Sequence, residues 1–300
     1  MSVSIGSSTR DHSVDIELLG DEFRIRREGT DGSLDKAAAR FAELDGTVAA
    51  LGMGGIDMYL RAAGRKYYFR DAKKLTKGVS RTAVVDGSGL KGPVEGSTID
   101  YLMSECGLGF SGKKVLVCSA VDRWGLTEAL HDAGCEMVYG DLVYAVGVPF
   151  LIRKWSALKI LVRVLTPIVA QMPFSWLYPT GSEQEKAPKA NPRMEEIYHW
   201  ADIIAGDWQY VKKFMPADMR GKWVITNTTT AEDVELCRQR GVELLVTSTP
   251  RLNGRSFGTN VIEATMVALD GANSELSPER YKELIAAVGF TPDVLWLQRG

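Results

Sequence analysis

KKVLVCSAVDRWGLTEALHDAGCEMVYGDL, residues 113–142, decides the fold. KKVLVCSA is a short apolar run, and a strand covered on both faces needs no polar alternation. GLTEALHDAG carries apolar residues at helical spacing and stops at Gly134, and EMVYGDL is a second apolar run. Strand, helix and strand within 30 residues predict two parallel strands joined by a crossover helix.

The alternation continues toward the C-terminus. ADIIAGD (201–207), WVITNTT (223–229), a helix from Glu232 to Arg240, VELLVTS (242–248) and a helix from Val261 extend it. A doubly wound parallel sheet is the expected result. Toward the N-terminus the pattern changes. SVSIGSS (2–8) reads as a strand, while HSVDIEL (12–18) and EFRIRRE (22–28) alternate with period two around Leu19-Gly20-Asp21 and read as a hairpin. Ser33 caps SLDKAAARFAEL, and TVAALGM (47–53) is a buried strand. RKYYFRD (65–71) is a further strand, and RTAVVDGSGLKGPVEGS (81–97) passes from strand to glycine-rich loop. This opening resembles that of the ribonuclease-H-like and sugar-kinase superfamily, but Ser4 to Ser8 carry no aspartate to hold magnesium.

GLGFSG (107–112) marks a boundary. The expected fold class is α/β, with a C-terminal doubly wound, Rossmann-like parallel sheet preceded by an N-terminal α/β domain. The domains are read as 1–108 and 109–300, the second with an apolar, basic insert at about 147–182.

Composition narrows the function. The 300 residues hold 36 Lys+Arg against 38 Asp+Glu, which leaves no excess of positive charge for a broad nucleic-acid face. Cys106, Cys118, Cys135 and Cys237 form no CxxC pair, and with three histidines no metal site is expected. The opening MSVSIGSSTRDH lacks the apolar core of a secretory signal, so a cytoplasmic location is expected.

In open α/β sheets ligands collect beyond the carboxyl ends of strands. Two such ends are rich in hydroxyls, Thr226 to Thr230 and Thr247 to Thr249, and Arg251 and Arg255 can each grip a carboxylate or phosphate through paired hydrogen bonds. Thr259 and Asn260 follow at the start of a helix. The bland alternatives are that Thr228 to Thr230 cap the helix before Glu232-Asp233, and that Asn260 with Glu263 forms a capping box. In the N-terminal half, Gly54-Gly55-Ile56-Asp57 and Asp86-Gly87-Ser88-Gly89-Leu90-Lys91 each follow a strand. An aspartate and a lysine on such loops suit proton transfer; ordinary turns with solvated charges are the other reading.

For a dinucleotide the first strand–helix turn should be glycine-rich. Here it reads Cys118-Ser119-Ala120-Val121-Asp122-Arg123-Trp124-Gly125, with no GxGxxG. Gly125 can serve as the close-packing glycine, and Asp141, 21 residues beyond Ala120, stands where a ribose-binding acid would. Asp122 would repel phosphate unless Arg123 compensates. A dinucleotide and a smaller ligand both remain open.

The stretches SIGSSTRDH, LGMGGIDMYL, VVDGSGLK, SAVDRWG, FSWLYPTG, TNTTTAEDVEL and TSTPRLNGRSFGTNV resemble a bacterial family labelled quinate or shikimate 5-dehydrogenase-like. The resemblance runs from residue 3 to 270. It implies an N-terminal substrate domain before a nucleotide-binding domain, and a lysine–aspartate pair beside the transferred hydride. VTSTPRLNG is similar to the NATS-x-G turn placed next to the nicotinamide. The GAGG loop of such enzymes is replaced by Ser119-Ala120-Val121-Asp122, and Lys91 with Asp86 are the nearest counterparts of their catalytic pair. The implied function is an NAD(P)-linked oxidoreductase on a small hydroxylated acid, with NAD or NADP as cofactor. Lys91 and Asp86 would be catalytic. Ser119, Gly125, Asp141, Thr228 and Thr249 would hold the cofactor, and Asp57, Arg251, Arg255, Thr259 and Asn260 the small anionic substrate. The alternative is a non-redox ligand-binding or membrane-peripheral protein on the same scaffold.

Between Asp141 and Glu183 lie 41 residues without an acid but with Arg153, Lys154, Lys159 and Arg163. Residues 151–166 read as a helix with Trp155, Leu158, Leu161, Val162 and Leu165 along one face. The internal charges and Pro167 argue against a membrane span. The insert can cover the sheet or form a homodimer interface, lie in the plane of the inner membrane face, or line an apolar pocket. SEQEKAPKANPRMEE (182–196) reads as a charged loop.

Overall fold

The computed structural model describes residues 1–172, 192–249, 251–252, 255–256 and 258–298, with Arg10, Ala145, Val146, Pro192, Arg193 and the residues at 251–256 described in backbone only. Two compact units emerge. One combines Met1–Pro93 with Arg251–Phe290 and the segment that begins at Thr166; the other holds Val94–Leu165, the chain from 179 to 250, and Thr291 onward.

The first unit is built on a five-stranded sheet. Strands β1 (Ser2–Ser4), β2 (His12–Leu18), β3 (Asp21–Gly29), β4 (Ala50–Gly54) and β7 (Ala83–Val85) lie in the order β2-β3-β1-β4-β7. β2 and β3 are antiparallel, and β1 runs parallel to both β3 and β4. Leu19 and Gly20 both take positive φ, 54° and 91°, as a two-residue hairpin turn matched to the sheet twist requires. Helix α1 (Leu34–Leu44) starts where Ser33 accepts the Lys36 N–H, and it buries Ala37, Phe41 and Leu44. Strands β5 (Tyr59–Ala62) and β6 (Arg65–Tyr68) form a separate hairpin before α2 (Arg70–Leu75). The first strand is shorter than the expected 2–8, because Ser8–Arg10 form one 3-10 turn.

Helices α10 (Thr259–Asp270) and α11 (Pro278–Ala287) also belong to this unit. A side chain at Gly52 would come within 2.7 Å of the Asn260 carbonyl, so the start of α10 rests directly on β4. The sequence reading placed a single division near residue 108. Residues 251–290 pack with the N-terminal strands, and the first unit ends at Pro93 inside α3 (Ser88–Ser104).

The second unit is a doubly wound sheet. Its strands are β8 (Lys114–Val117), β9 (Glu136–Tyr139), β10 (Ile203–Ala205), β11 (Trp223–Thr226), β12 (Leu244–Thr247) and β15 (Asp293–Trp296), in the order β15-β12-β11-β10-β8-β9. All neighbours are parallel except β15, which runs antiparallel to β12. Crossover helices include α4 (Trp124–Asp132), α5 (Asp141–Val146), α7 (Pro192–Trp200), α8 (Trp208–Phe214) and α9 (Ala231–Gln239). Leu116, Val138, Ile204, Val224 and Leu245 are all buried and pack with Ile197, Tyr198 and Val211 from the helices. That explains the uninterrupted apolar runs in the sequence. Strand order reverses between β8 and β10, the place where such sheets open a crevice.

Helix α6 (Trp155–Val169) confirms a helix in the insert, with Trp155 stacked on Trp124 at 4.8 Å. The remainder of the insert from 173, the charged loop at 182–191 and the FSWLYPTG stretch lie outside the described residues.

Candidate functional site

In the first unit β4 and β7 are parallel neighbours, so the loops beyond their carboxyl ends lie side by side. Gly55 at φ 81° and Gly87 at φ 98° turn the chain at these ends, in a conformation that side chains disfavour. Asp57 lies on the first loop and Asp86 on the second. One turn into α3, Lys91 places Nζ 3.0 Å from Asp57 Oδ2, with both side chains mostly but not fully enclosed.

Sequence reasoning pairs Lys91 with Asp86; the structure shows an ion pair from Lys91 to Asp57, and Asp86 also feels the Lys91 charge. Asp86 stands behind it, buried, accepting from the Met58 and Ser88 N–H groups. Burial, and then the Asp57 charge, push its carboxyl up to about 6. The Ser88 hydroxyl lies 2.6 Å from Asp86 Oδ2 and 2.9 Å from the Tyr59 carbonyl. A hydroxyl has one proton, so both contacts are satisfied when Asp86 itself carries a proton and donates it to Ser88.

A second layer of carboxylates supports this loop. Glu263, buried on α10, accepts the Gly87 N–H through Oε2 and the Tyr281 hydroxyl through Oε1 at 2.7 Å. Its carboxyl is pushed up to about 8, by burial first and by Asp86 second. Glu275 accepts from the Tyr59 hydroxyl and from Lys66 Nζ at 2.7 Å. The capping box expected for Asn260 and Glu263 is not formed, because Glu263 is spent on Gly87 and the N-cap is Gly258.

Thr259 reaches the same loop, since a side chain at Gly87 would meet its Oγ1 at 2.7 Å. Asn260 Nδ2 donates to Ser2 Oγ at 2.8 Å and its backbone presses on Gly52, so it ties α10 to the sheet. The side chains of Arg251 and Arg255 lie outside the described residues; their backbone forms the two-strand ribbon β13 (Arg251–Leu252) and β14 (Arg255–Ser256).

In the second unit the carboxyl end of β8 runs into the turn 118–125. Ser119 Oγ accepts the Asp207 N–H at 2.9 Å across the β8–β10 switch point, which makes it a brace for that loop. Asp141, at the end of β9, accepts the Val121 N–H through Oδ1 at 2.9 Å, while its Oδ2 is buried with no partner among the described residues. Burial pushes this carboxyl up to about 6 against the pull of its backbone hydrogen bonds. Gly125 is the second residue of α4. Thr228 donates to Thr249 Oγ1 at 3.1 Å, and Thr230 caps α9 in a full capping box with Asp233, as the bland reading of the threonines has it.

Arg123 sits at the head of α4, with 8% of its surface exposed, among three carboxylates. Asp207 lies 2.7 Å away, Asp122 3.1 Å and Glu95 3.4 Å. Glu95 also accepts the Leu126 N–H of the helix's first turn at 3.0 Å. A diphosphate needs free N–H groups and positive potential at that helix end. It would meet one guanidinium against three carboxylates. The nucleoside end of a nicotinamide dinucleotide thus finds a fitting residue in the unpartnered Asp141 oxygen, and the diphosphate end does not fit. Sequence reasoning missed Glu95 and Glu275, and read Glu263 only as half of a capping box. Among the described residues no group of three or more His, Cys, Asp or Glu side chains is arranged to hold a metal ion.

Comparison with known proteins adds the family. A model described as Domain of unknown function (DUF8753) matches residues 1–86, and one described as Domain of unknown function (DUF8754) matches 89–297. No curated protein matches. Among solved structures, an L-tryptophan dehydrogenase from Nostoc punctiforme is similar at 10% identity and a TM-score of 0.38, over 90% of this chain and 67% of that one. A glutamate dehydrogenase is similar at 12% identity and a TM-score of 0.39, over 88% of this chain and 63% of that one. A glucose-galactose binding protein, GanP, from Geobacillus stearothermophilus is similar at 11% identity and a TM-score of 0.36, over 91% and 84%. At that distance neither a reaction nor a ligand transfers. The chain belongs to the family described as Domain of unknown function (DUF8754).

Proposed function

We propose that the chain is an oxidoreductase acting on a small hydroxylated acid, with Lys91 and Asp57 handling the hydroxyl proton. The observation that carries this reading is the Lys91–Asp57 pair, 3.0 Å apart at the carboxyl ends of two parallel strands and backed by the buried Asp86. A substrate hydroxyl lodged against the pair gives its proton to the Asp57 carboxylate. The adjacent Lys91 ammonium stabilises the charge that develops on the oxygen. Asp86 acts as a positioning residue, because its contacts to Met58 and Ser88 hold the loop that carries Lys91. Thr259, beside Gly87, is placed to bind a further substrate hydroxyl, and Arg251 and Arg255 remain the proposed grip on its carboxylate.

NAD or NADP would supply the hydride acceptor of such a reaction, with Asp141 holding its ribose and Thr228 and Thr249 near the carboxyl ends of β11 and β12. The α4 turn, with three carboxylates around Arg123, does not fit the diphosphate of such a cofactor. The same misfit favours a second reading, a ligand-binding protein that keeps the scaffold without redox chemistry.

One experiment separates the two. The protein is assayed for oxidation of quinate and shikimate with each nicotinamide cofactor, and titrated with each acid by calorimetry. Turnover that Lys91→Met removes supports the oxidoreductase. Binding without turnover supports the second reading, and absence of both overturns the site.

A further inference from the structure

Helix α6 has two apolar faces, and among the described residues one of them is buried. Leu158, Val162 and Thr166 are buried, and Trp155 packs on Trp124 and Tyr139 at ring distances of 4.8 and 5.9 Å. Ile160, Val164 and Ile168, spaced four residues apart and so aligned along the opposite side of the helix, are exposed to 63%, 58% and 59%. Leu165 extends the stripe, and Val148 and Phe150 are exposed just ahead of the helix.

The charges on the helix itself and in the segment before it are all of one sign. Lys159 and Arg163, one turn apart, run along one edge of it, and Arg153 and Lys154 precede the helix. No acid occurs from Leu142 to Ser182. Lys159 Nζ lies over the Trp155 ring at 5.5 Å, a cation beside an aromatic face at the edge of the stripe. No helix among the described residues is long and apolar enough to cross a membrane.

We propose that α6 docks in the plane of an anionic lipid surface, with Ile160, Val164 and Ile168 in the acyl boundary and Lys159 and Arg163 at the headgroups. Charge complementarity selects this occupant. A second copy of the same helix would bring its own row of cations against this one with no acid on the helix to answer it, whereas anionic headgroups answer every cation. Exposed branched side chains in a stripe beside Lys and Arg are what an interfacial helix presents.

The test is cosedimentation of the full chain with vesicles of phosphatidylglycerol and phosphatidylcholine, and with phosphatidylcholine alone. The expected result is binding to the anionic vesicles only, weakened by raised salt. It should fall at least tenfold in both Lys159→Glu/Arg163→Glu and Ile160→Ser/Val164→Ser. These positions face outward, so the variants keep the fold, and unchanged circular-dichroism melting confirms it. Absence of pelleting with anionic vesicles overturns the proposal, as does binding that both double variants leave intact. A dimer in light scattering that Ile160→Ser/Val164→Ser dissociates also overturns it, by assigning the stripe to a second copy.

Discussion

Lys91 Nζ and Asp57 Oδ2 meet at 3.0 Å although 34 residues separate them in the chain. The contact exists because β4 and β7 are adjacent parallel strands, so that one loop brings the carboxylate and the next brings the first turn of α3. Each side chain retains some exposure, 15% for Lys91 and 20% for Asp57, which leaves the pair reachable by a substrate. Asp57→Asn keeps the shape and removes the proton acceptor. Turnover should fall by about 10²–10⁴-fold, the usual share of a positioned acid–base group. An Asp57→Asn enzyme with unaltered turnover would remove Asp57 from the chemistry.

Stability should depend on pH in an unusual direction. The Asp86 and Asp141 carboxyls are pushed up to about 6 and Glu263 to about 8, from ordinary values of 3.8 and 4.5. The folded chain therefore binds more protons than the unfolded one between about pH 4 and pH 8. What these groups contribute is fully present below their unfolded values and is lost as pH rises through 6 and then 8. Denaturant midpoints should decline from about pH 5.5 to about pH 8.5. Glu263→Gln, which cannot ionise, should flatten the upper part of that decline. A midpoint that rises across the interval would contradict the assignment.

Two glycines in α3 should respond oppositely to alanine. A side chain at Gly89 would collide with the carboxylates of Glu263 and Glu275, while one at Gly92 would meet nothing within 4 Å. Gly89→Ala should cost roughly 1–3 kcal/mol through overpacking. Gly92→Ala should gain about 0.5–1 kcal/mol through helix propensity. Chemical denaturation of the two variants checks both signs at once.

Nucleotide affinity should be set by the carboxylates at α4. Asp122 lies 3.1 Å from Arg123 Nε, and Asp122→Asn would lower the repulsion that a diphosphate meets there. Dinucleotide binding should then tighten by about tenfold, worth ~1.4 kcal/mol. If Asp141 holds the ribose as proposed, Asp141→Ala should weaken it. Titration with NAD and NADP by calorimetry reads both effects; a dinucleotide affinity indifferent to Asp122→Asn would place the diphosphate elsewhere.

Much of this was legible residue by residue, for physical reasons. The 113–142 stretch announces parallel strands because burial on both faces leaves Val115, Leu116 and Val117 with no polar partner to alternate with. Asp141 could be found by spacing, since strand–helix–strand length fixes where the second strand ends. The Lys91–Asp57 contact could not, because the two stand on different loops and only the adjacency of β4 and β7 brings them together. Glu263 carries a misleading local signal, three residues after Asn260, that the tertiary demand of the Gly87 N–H overrides. Glu275 meets Lys66 across 209 residues and Tyr59 across 216, and no local pattern encodes that. Residues 251–290 joined the N-terminal strands for a similar reason: β4 offers Gly52 where α10 needs close approach.

The most direct test is the rate of hydroxy-acid oxidation by Lys91→Met beside the unaltered protein, with quinate and shikimate as substrates and each nicotinamide cofactor in excess. The account predicts measurable turnover in the unaltered protein and a loss of at least about 10²-fold in the variant, with its melting curve preserved. Equal turnover in the two proteins would contradict the claim that Lys91 and Asp57 carry the proton.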